Sequence, residues 1–128
     1  MKTLVLSNGK LKEKEIDNTL EELQKIVGGY IEIPRLCKRF SDNGIDAIIN
    51  EEGKYIEGMR PEIAIVDSKI GAALDIVYGN CIFASHNDEG ETISLNEEQV
   101  EIVMEELRME IVLVNTEGKS TVAKALFV

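Results

Sequence analysis

Residues 115–121 read Asn-Thr-Glu-Gly-Lys-Ser-Thr, and the last four match the end of a phosphate-binding P-loop. That motif also needs a Gly five residues before its Gly-Lys pair, where this chain has Leu113, and it must open a helix whose N-terminus faces the phosphates. Ser120 and the residues after it favour a strand instead. The stretch therefore reads as a Gly-Lys hairpin turn. His86 is the single histidine and follows Ser85, which invites a general-base reading. Adjacent residues on a strand point to opposite sides, so this pair makes no triad. The better reading is an exposed histidine beside the acidic loop Asn87-Asp88-Glu89-Gly90. Cys37 and Cys81 lie far apart, outside any CxxC pattern, and no second histidine exists to activate or complete a site. Both read as reduced thiols, with Cys81 a structural thiol in an apolar strand. An EF-hand register with Gly90 as the required glycine puts Ser85 first and Asn96 last, which breaks the calcium pattern. No catalytic constellation, metal set or cofactor motif survives, so the chain reads as a binding protein rather than an enzyme.

The elements that would position these residues form an α+β domain, with two to three helices and a mostly antiparallel or mixed sheet. Residues 2–7 read as a strand, Asn8-Gly9 as a hairpin turn and 11–16 as the return, its charges facing outward. A helix follows, capped by Asn18 with Glu21 three residues on, striped by Leu20, Leu23, Ile26 and Val27, and stopped at Gly28-Gly29. Tyr30 to Ile33 reads as a strand ended by Pro34. Residues 35–40 are too short and mixed to assign. A strand at 45–50 turns at 51–54 and returns through 55–58. Pro61 suits the first turn of a helix over 62–73. Residues 75–85 read as the central strand region, interrupted at Gly79. The best-defined helix starts at Ser94, with Glu97 completing a capping box. Val100, Val103, Met104 and Leu107 form its apolar stripe, opposite Glu97, Glu98, Glu101 and Glu105. A strand, the turn 116–119 and a last strand complete the chain. Residues 1–110 read as one small domain and 111–128 as a strand hairpin added to it.

The chain has 128 residues, 44% apolar and 5% aromatic with no Trp, so its core should be aliphatic. No apolar run approaches the roughly 20 residues that span a bilayer. The N-terminus lacks the apolar stretch of about 7–15 residues that marks a signal peptide. Both predict a cytoplasmic protein. Net charge is −10 and uneven, with +2 on residues 1–40 and −12 on 41–128. Residues 86–110 carry nine acids, among them Asp88 and Glu89, against Arg108 alone. Such a surface repels nucleic acid; its commoner role is a solvated face that keeps a protein soluble, and its functional role would be to attract a basic partner. The segment 35–40, with Arg35, Lys38 and Arg39, is the one basic candidate for phosphate contact, and three charges of this kind are more often a salt-bridged or solvated loop.

Four segments carry a resemblance: Leu-Gln-Lys-Ile-Val-Gly-Gly-Tyr-Ile-Glu-Ile at 23–33, then 49–64, 75–85 and 88–101. Together they resemble a domain-of-unknown-function family carried by bacteriophages, plasmids and conjugative elements of Gram-positive bacteria, over roughly residues 1–105. After Glu-Gly-Lys the family tends to read Gly-Leu-Pro, one residue, then Asn. Here Gly58-Met59-Arg60-Pro61-Glu62 stands there, so a role held by that Asn is in doubt at Glu62. The resemblance implies a mobile-element origin and brings no catalytic residues.

The leading expectation is a non-enzymatic counter-defence protein. Its acidic surface (Glu97, Glu98, Glu101, Glu105, Asp88, Glu89) would bind and inhibit a basic host protein such as a CRISPR nuclease, with no direct nucleic-acid contact. A second expectation is a sponge for a nucleotide immune signal. There the Gly28-Gly29-Tyr30 turn and Arg60 would supply a ligand loop, or an interface in a homo-oligomer. A third is an accessory protein of phage replication or DNA transfer.

Overall fold

The computed structural model describes residues 1–115 and 117–128. The chain forms two open sheets and three helices, the α+β class that the sequence predicts. The first sheet has the order β2-β1-β7-β4-β3, from β1 (Lys2–Ser7), β2 (Lys10–Glu15), β3 (Ile31–Glu32), β4 (Ile45–Asn50) and β7 (Cys81–His86). A short β8 (Thr92–Ile93) continues the pairing along β7. The second sheet has the order β6-β5-β10-β9, from β5 (Pro61–Val66), β6 (Ala73–Tyr78), β9 (Glu110–Val114) and β10 (Ser120–Phe127). β5 and β10 pair in parallel, and the other pairs described are antiparallel. The helices are α1 (Leu20–Val27), α2 (Lys38–Asp42) and α3 (Glu97–Glu106).

The central strands of the first sheet, β1, β7 and β4, are buried on both faces, whereas its edge strand β2 is largely exposed. On one face, Val5, Ile48, Ile82 and Ala84 pack against Leu23 and Val27 of α1. On the other, Leu4, Leu6, Ala47, Cys81 and Phe83 meet Ile63 and Ile65 of β5, Leu126 of β10, and Val103 of α3 with Leu107 just beyond it. Phe40 of α2 meets Phe83 edge to face, with ring centroids 5.7 Å apart. Each fully buried side chain here contributes about 1.5–3 kcal/mol relative to exposure. Burial on both faces explains why β1 and β7 read as continuous apolar runs rather than alternating ones.

Five expectations need correction. Thr19, not Asn18, caps α1, accepting from the Glu22 N–H at 3.2 Å, while Asn18 donates to the Thr92 carbonyl. The capping box of α3 is Asn96 with Gln99, two residues after the expected pair, because Ser94 is occupied by the Lys2 N–H. Residues 61–66 form a strand, not a helix. Pro61 sits at the strand's first position, where it is tolerated, and β10 supplies a partner from 61 residues away. Residues 55–58 do not return as a strand; a 3₁₀ turn at Gly53–Tyr55 leads the chain toward the second sheet. Residues 75–85 are two strands in different sheets, divided at Gly79, whose φ of 87° lets the chain turn between them. The segment left unassigned at 35–40 leads into α2. The turn expected at 116–119 begins on Thr116, which lies outside the described residues. Next to it, the Asn115 side chain accepts from the Glu117 and Lys119 N–H groups.

Residues 111–128 hold most of β9 and all of β10, which pair antiparallel within the second sheet. β10 lies between β5 and β9, and its Leu126 is fully buried in the central core.

Glu62 ties the two sheets together. Its carboxylate is 1% exposed and accepts from the Asn8 and Gly9 N–H groups at 2.9 and 2.8 Å, and from Arg60 Nη1 at 2.7 Å. Arg60 Nη2 then donates to the Val122 carbonyl of β10 at 2.6 Å. Glu62→Gln places an amide N–H₂ against these donors. It should cost roughly 3 kcal/mol in urea denaturation, the low end for a broken buried pair because Arg60 stays partly exposed. Gly53 makes a second close contact, since a Cβ there would lie 2.5 Å from the Tyr78 carbonyl oxygen. Gly53→Ala should cost about 1–3 kcal/mol in the same measurement.

Candidate functional site

α3 exists because Val100, Ile102, Val103 and Leu107 bury one side of it and the Asn96–Gln99 box closes its N-terminus. Gln99 does more than cap. Its Nε2 reaches the Asn43 carbonyl at 2.8 Å and the Ser85 hydroxyl at 2.9 Å, fixing α3 to the loop before β4 and to β7. The remaining side of α3 is exposed, and it presents Glu97, Glu98, Glu101 and Glu105 as the sequence predicts. Met104, expected in the apolar stripe, is 44% exposed among them, whereas Ile102 is buried in its place.

These acids are not equivalent. Arg39 of α2 holds Glu105 at 3.2 Å and Glu106 at 2.9 Å, and both carboxylates raise the guanidinium pKa, Glu106 more than Glu105. Among the described residues, Glu97, Glu98 and Glu101 have no cation of the chain against them. Asp88 and Glu89 stand exposed in a tight turn that Asn87 closes, its Oδ1 accepting from the Glu89 and Glu91 N–H groups. The unsatisfied acidic surface is therefore Glu97, Glu98 and Glu101 on the helix, with Asp88 and Glu89 on the turn.

The expected ligand loop is occupied by its own structure. The Gly28 and Gly29 N–H groups both donate to the Gln24 carbonyl, at 2.8 and 3.0 Å, closing the C-terminus of α1. The Asn80 and Asn50 side chains satisfy the Ile26 and Val27 carbonyls there. Gly29 has no room for a side chain, since a Cβ would lie 2.9 Å from Asn50 Nδ2. Tyr30 is 73% exposed, but its carbonyl is used by the Glu51 N–H. Arg60 is spent on Glu62 and Val122. The basic segment expected at 35–40 is also largely paired. Lys38 meets Asp42 at 2.6 Å and Arg39 meets α3, which leaves Arg35 beside a cleft of about 250 Å³.

His86 ends β7 with its Nδ1 2.9 Å from Asp46 Oδ2, and the Ser85 hydroxyl points elsewhere, to the Gly44 carbonyl. Ser120 opens β10, so no helix N-terminus follows Gly118-Lys119 to receive a phosphate. Among the described residues, no three His, Cys, Asp or Glu side chains gather as a metal ion would require.

Sequence reasoning missed a basic groove. Lys10, Lys12 and Lys14 alternate along β2, opposite Ser7, Val5 and Thr3 of β1, so all three lie on the face that α1 covers. Lys25 of α1 faces them across a groove of about 540 Å³. The alternation was visible in the sequence, where it reads as edge protection. Its juxtaposition with α1 was not.

A family model for a domain of unknown function (DUF3846) matches residues 1–108. The chain belongs to this family. The DUF3846 match runs from β1 through α3, so it contains both the acidic face and the lysine groove, and it stops just before β9. Residues that complete the second sheet of this DUF3846 protein thus lie outside the matched span. No curated protein and no solved structure matches the chain. Among the described residues, no helix is long and apolar enough to cross a membrane.

Both cysteines are buried, and burial is the largest cause raising each thiol pKa, assisted at Cys81 by the charge of Glu62. The protonated thiol is a poor nucleophile. Ellman's reagent at pH 8 should therefore find almost no reactive thiol in the native protein and two per chain after unfolding in urea.

Proposed function

We propose that the protein is a non-enzymatic binding protein whose acidic face docks a basic partner protein. The observation that carries this reading is the trio Glu97, Glu98 and Glu101, exposed on a helix held rigid by its capping box and by Gln99, with no cation of the chain against it among the described residues. A rigid row of uncompensated carboxylates gives a basic surface a preorganised, complementary field and speeds the encounter. Asp88 and Glu89 extend the acidic surface. Glu105 serves it less, because Arg39 already neutralises it.

The resemblance to proteins of phages and conjugative elements narrows the proposed partner to a host defence protein that handles nucleic acid, such as a CRISPR nuclease, met inside the bacterial cell. An acidic helix of this kind would occupy a groove that otherwise takes a phosphate backbone.

The test is capture of partners from a Gram-positive host lysate, with the wild-type protein and a Glu98→Lys, Glu101→Lys variant used in parallel. A basic protein retained at about 50 mM salt, released as salt rises, and bound about tenfold or more weakly by the variant supports the proposal. Equal retention by both proteins ends it.

A further inference from the structure

We propose that the groove between α1 and β2 binds the backbone of a single-stranded nucleic acid through Lys10, Lys12, Lys14 and Lys25. The inference is independent of the acidic face and concerns the other end of the charge distribution. β2 is an edge strand paired only to β1, and its lysines occupy alternate positions on one face. Alternate residues on an antiparallel strand are about 6.8 Å apart, so the row from Lys10 to Lys14 extends about 14 Å. Successive phosphates of an extended single strand are spaced similarly. Those of a nucleoside triphosphate sit much closer together and would engage one lysine of the row at a time.

All four lysines are exposed, and among the described residues none is in an ion pair. The other lysine near this sheet edge, Lys2, is taken by Glu13 at 3.5 Å. Glu13 itself lies on the opposite face of β2, and among the described residues Glu22 is the one acid that lines the groove. Val5 and Ile26 supply apolar floor against which sugar and base edges can rest. Among the described residues no aromatic ring lines the groove, so binding should follow the phosphate backbone with little base preference.

The overall charge of −10 does not decide this site. At physiological salt the screening length is about 8 Å, so the lysines on both sides of the groove outweigh the distant acids of α3. A second copy of the chain fits less well at this edge. Antiparallel self-pairing of β2 about a two-fold axis keeps each residue on its own face, which sets lysine against lysine.

The experiment is fluorescence anisotropy with a labelled oligothymidine of about 12 nucleotides, titrated with the full protein from about 20 to 200 mM salt. Contact with three or four phosphates predicts a slope near −2 to −3 in log K against log salt. Lys12→Glu with Lys14→Glu should lower affinity by about tenfold or more at low salt. A control, Lys69→Glu with Lys119→Glu, makes the same charge change away from the groove and should lower it far less. No binding at about 20 mM salt overturns the proposal, as does equal weakening by the two double variants. Displacement of the oligonucleotide by a poly-glutamate peptide of equal length at lower concentration would assign the groove to an acidic peptide instead. A salt-sensitive dimer that sediments without nucleic acid and is lost in the Lys12, Lys14 variant would assign it to a second copy. Either result overturns the proposal.

Discussion

Taking a carboxylate out of water costs several kcal/mol unless its oxygens are satisfied. Glu62 meets that condition with two backbone donors from the Asn8-Gly9 turn and one guanidinium, and the rest of the structure follows from where those donors lie. The turn belongs to the first sheet and Glu62 to the second, so the hydrogen bonds fix the relative placement of the two sheets. Arg60 carries the tie further, from Glu62 to the Val122 carbonyl of β10. Its guanidinium also crowds Gly9, where a Cβ would lie 3.1 Å from Nη2, so the turn needs both its geometry and its missing side chain. A strand read from sequence as a helix is thereby held in place by a polar contact made across 54 residues.

With that arrangement set, the first sheet has two different faces. One packs on the second sheet with α2 and α3, and the other is only partly covered by α1. α1 is an eight-residue helix that packs over β4, β7 and β3 rather than over β2. The uncovered strip is where the lysines of β2 stand. α3, on the opposite face, buries Val100, Ile102 and Val103 and turns Glu97, Glu98, Glu101 and Glu105 outward. The lysines of β2 and the glutamates of α3 therefore stand on opposite faces of the first sheet, whereas Arg35, Lys38 and Arg39 lie with α2 on the α3 side. Of these, Arg39 neutralises the C-terminal end of the acidic helix rather than its middle.

Much of this was legible in the sequence where a signal is local. The Asn8-Gly9 turn, the amphipathic α1 and α3, and the left-handed stop at Gly28 all depend on residues within a few positions of each other. Cap positions slipped by one or two residues because Asn18 and Ser94 are good caps whose side chains have other partners, Thr92 and Lys2. α2 was not legible because it is five residues long and buries one side chain, Phe40, too few for a period. Membership in a domain-of-unknown-function family was expected from the sequence, and the family match over residues 1–108 bears it out. The proposed acidic face was legible as a charge pattern, but not the loss of Glu105 to Arg39, which lies 66 residues away.

The sequence by itself determined the class of the fold, its helical stripes, its tight turns and the sign of its charge along the chain. Each of these is set by the side chains and backbone preferences of neighbours. Only the tertiary structure decided that residues 61–66 are a strand, that Gly79 divides two sheets, and that Gly28, Gly29 and Arg60 are consumed internally. It alone set Lys25 across from the lysines of β2. These outcomes depend on pairing and burial between distant segments, and local propensity is too weak to specify them: a strand needs its neighbour, and a buried charge needs its donors.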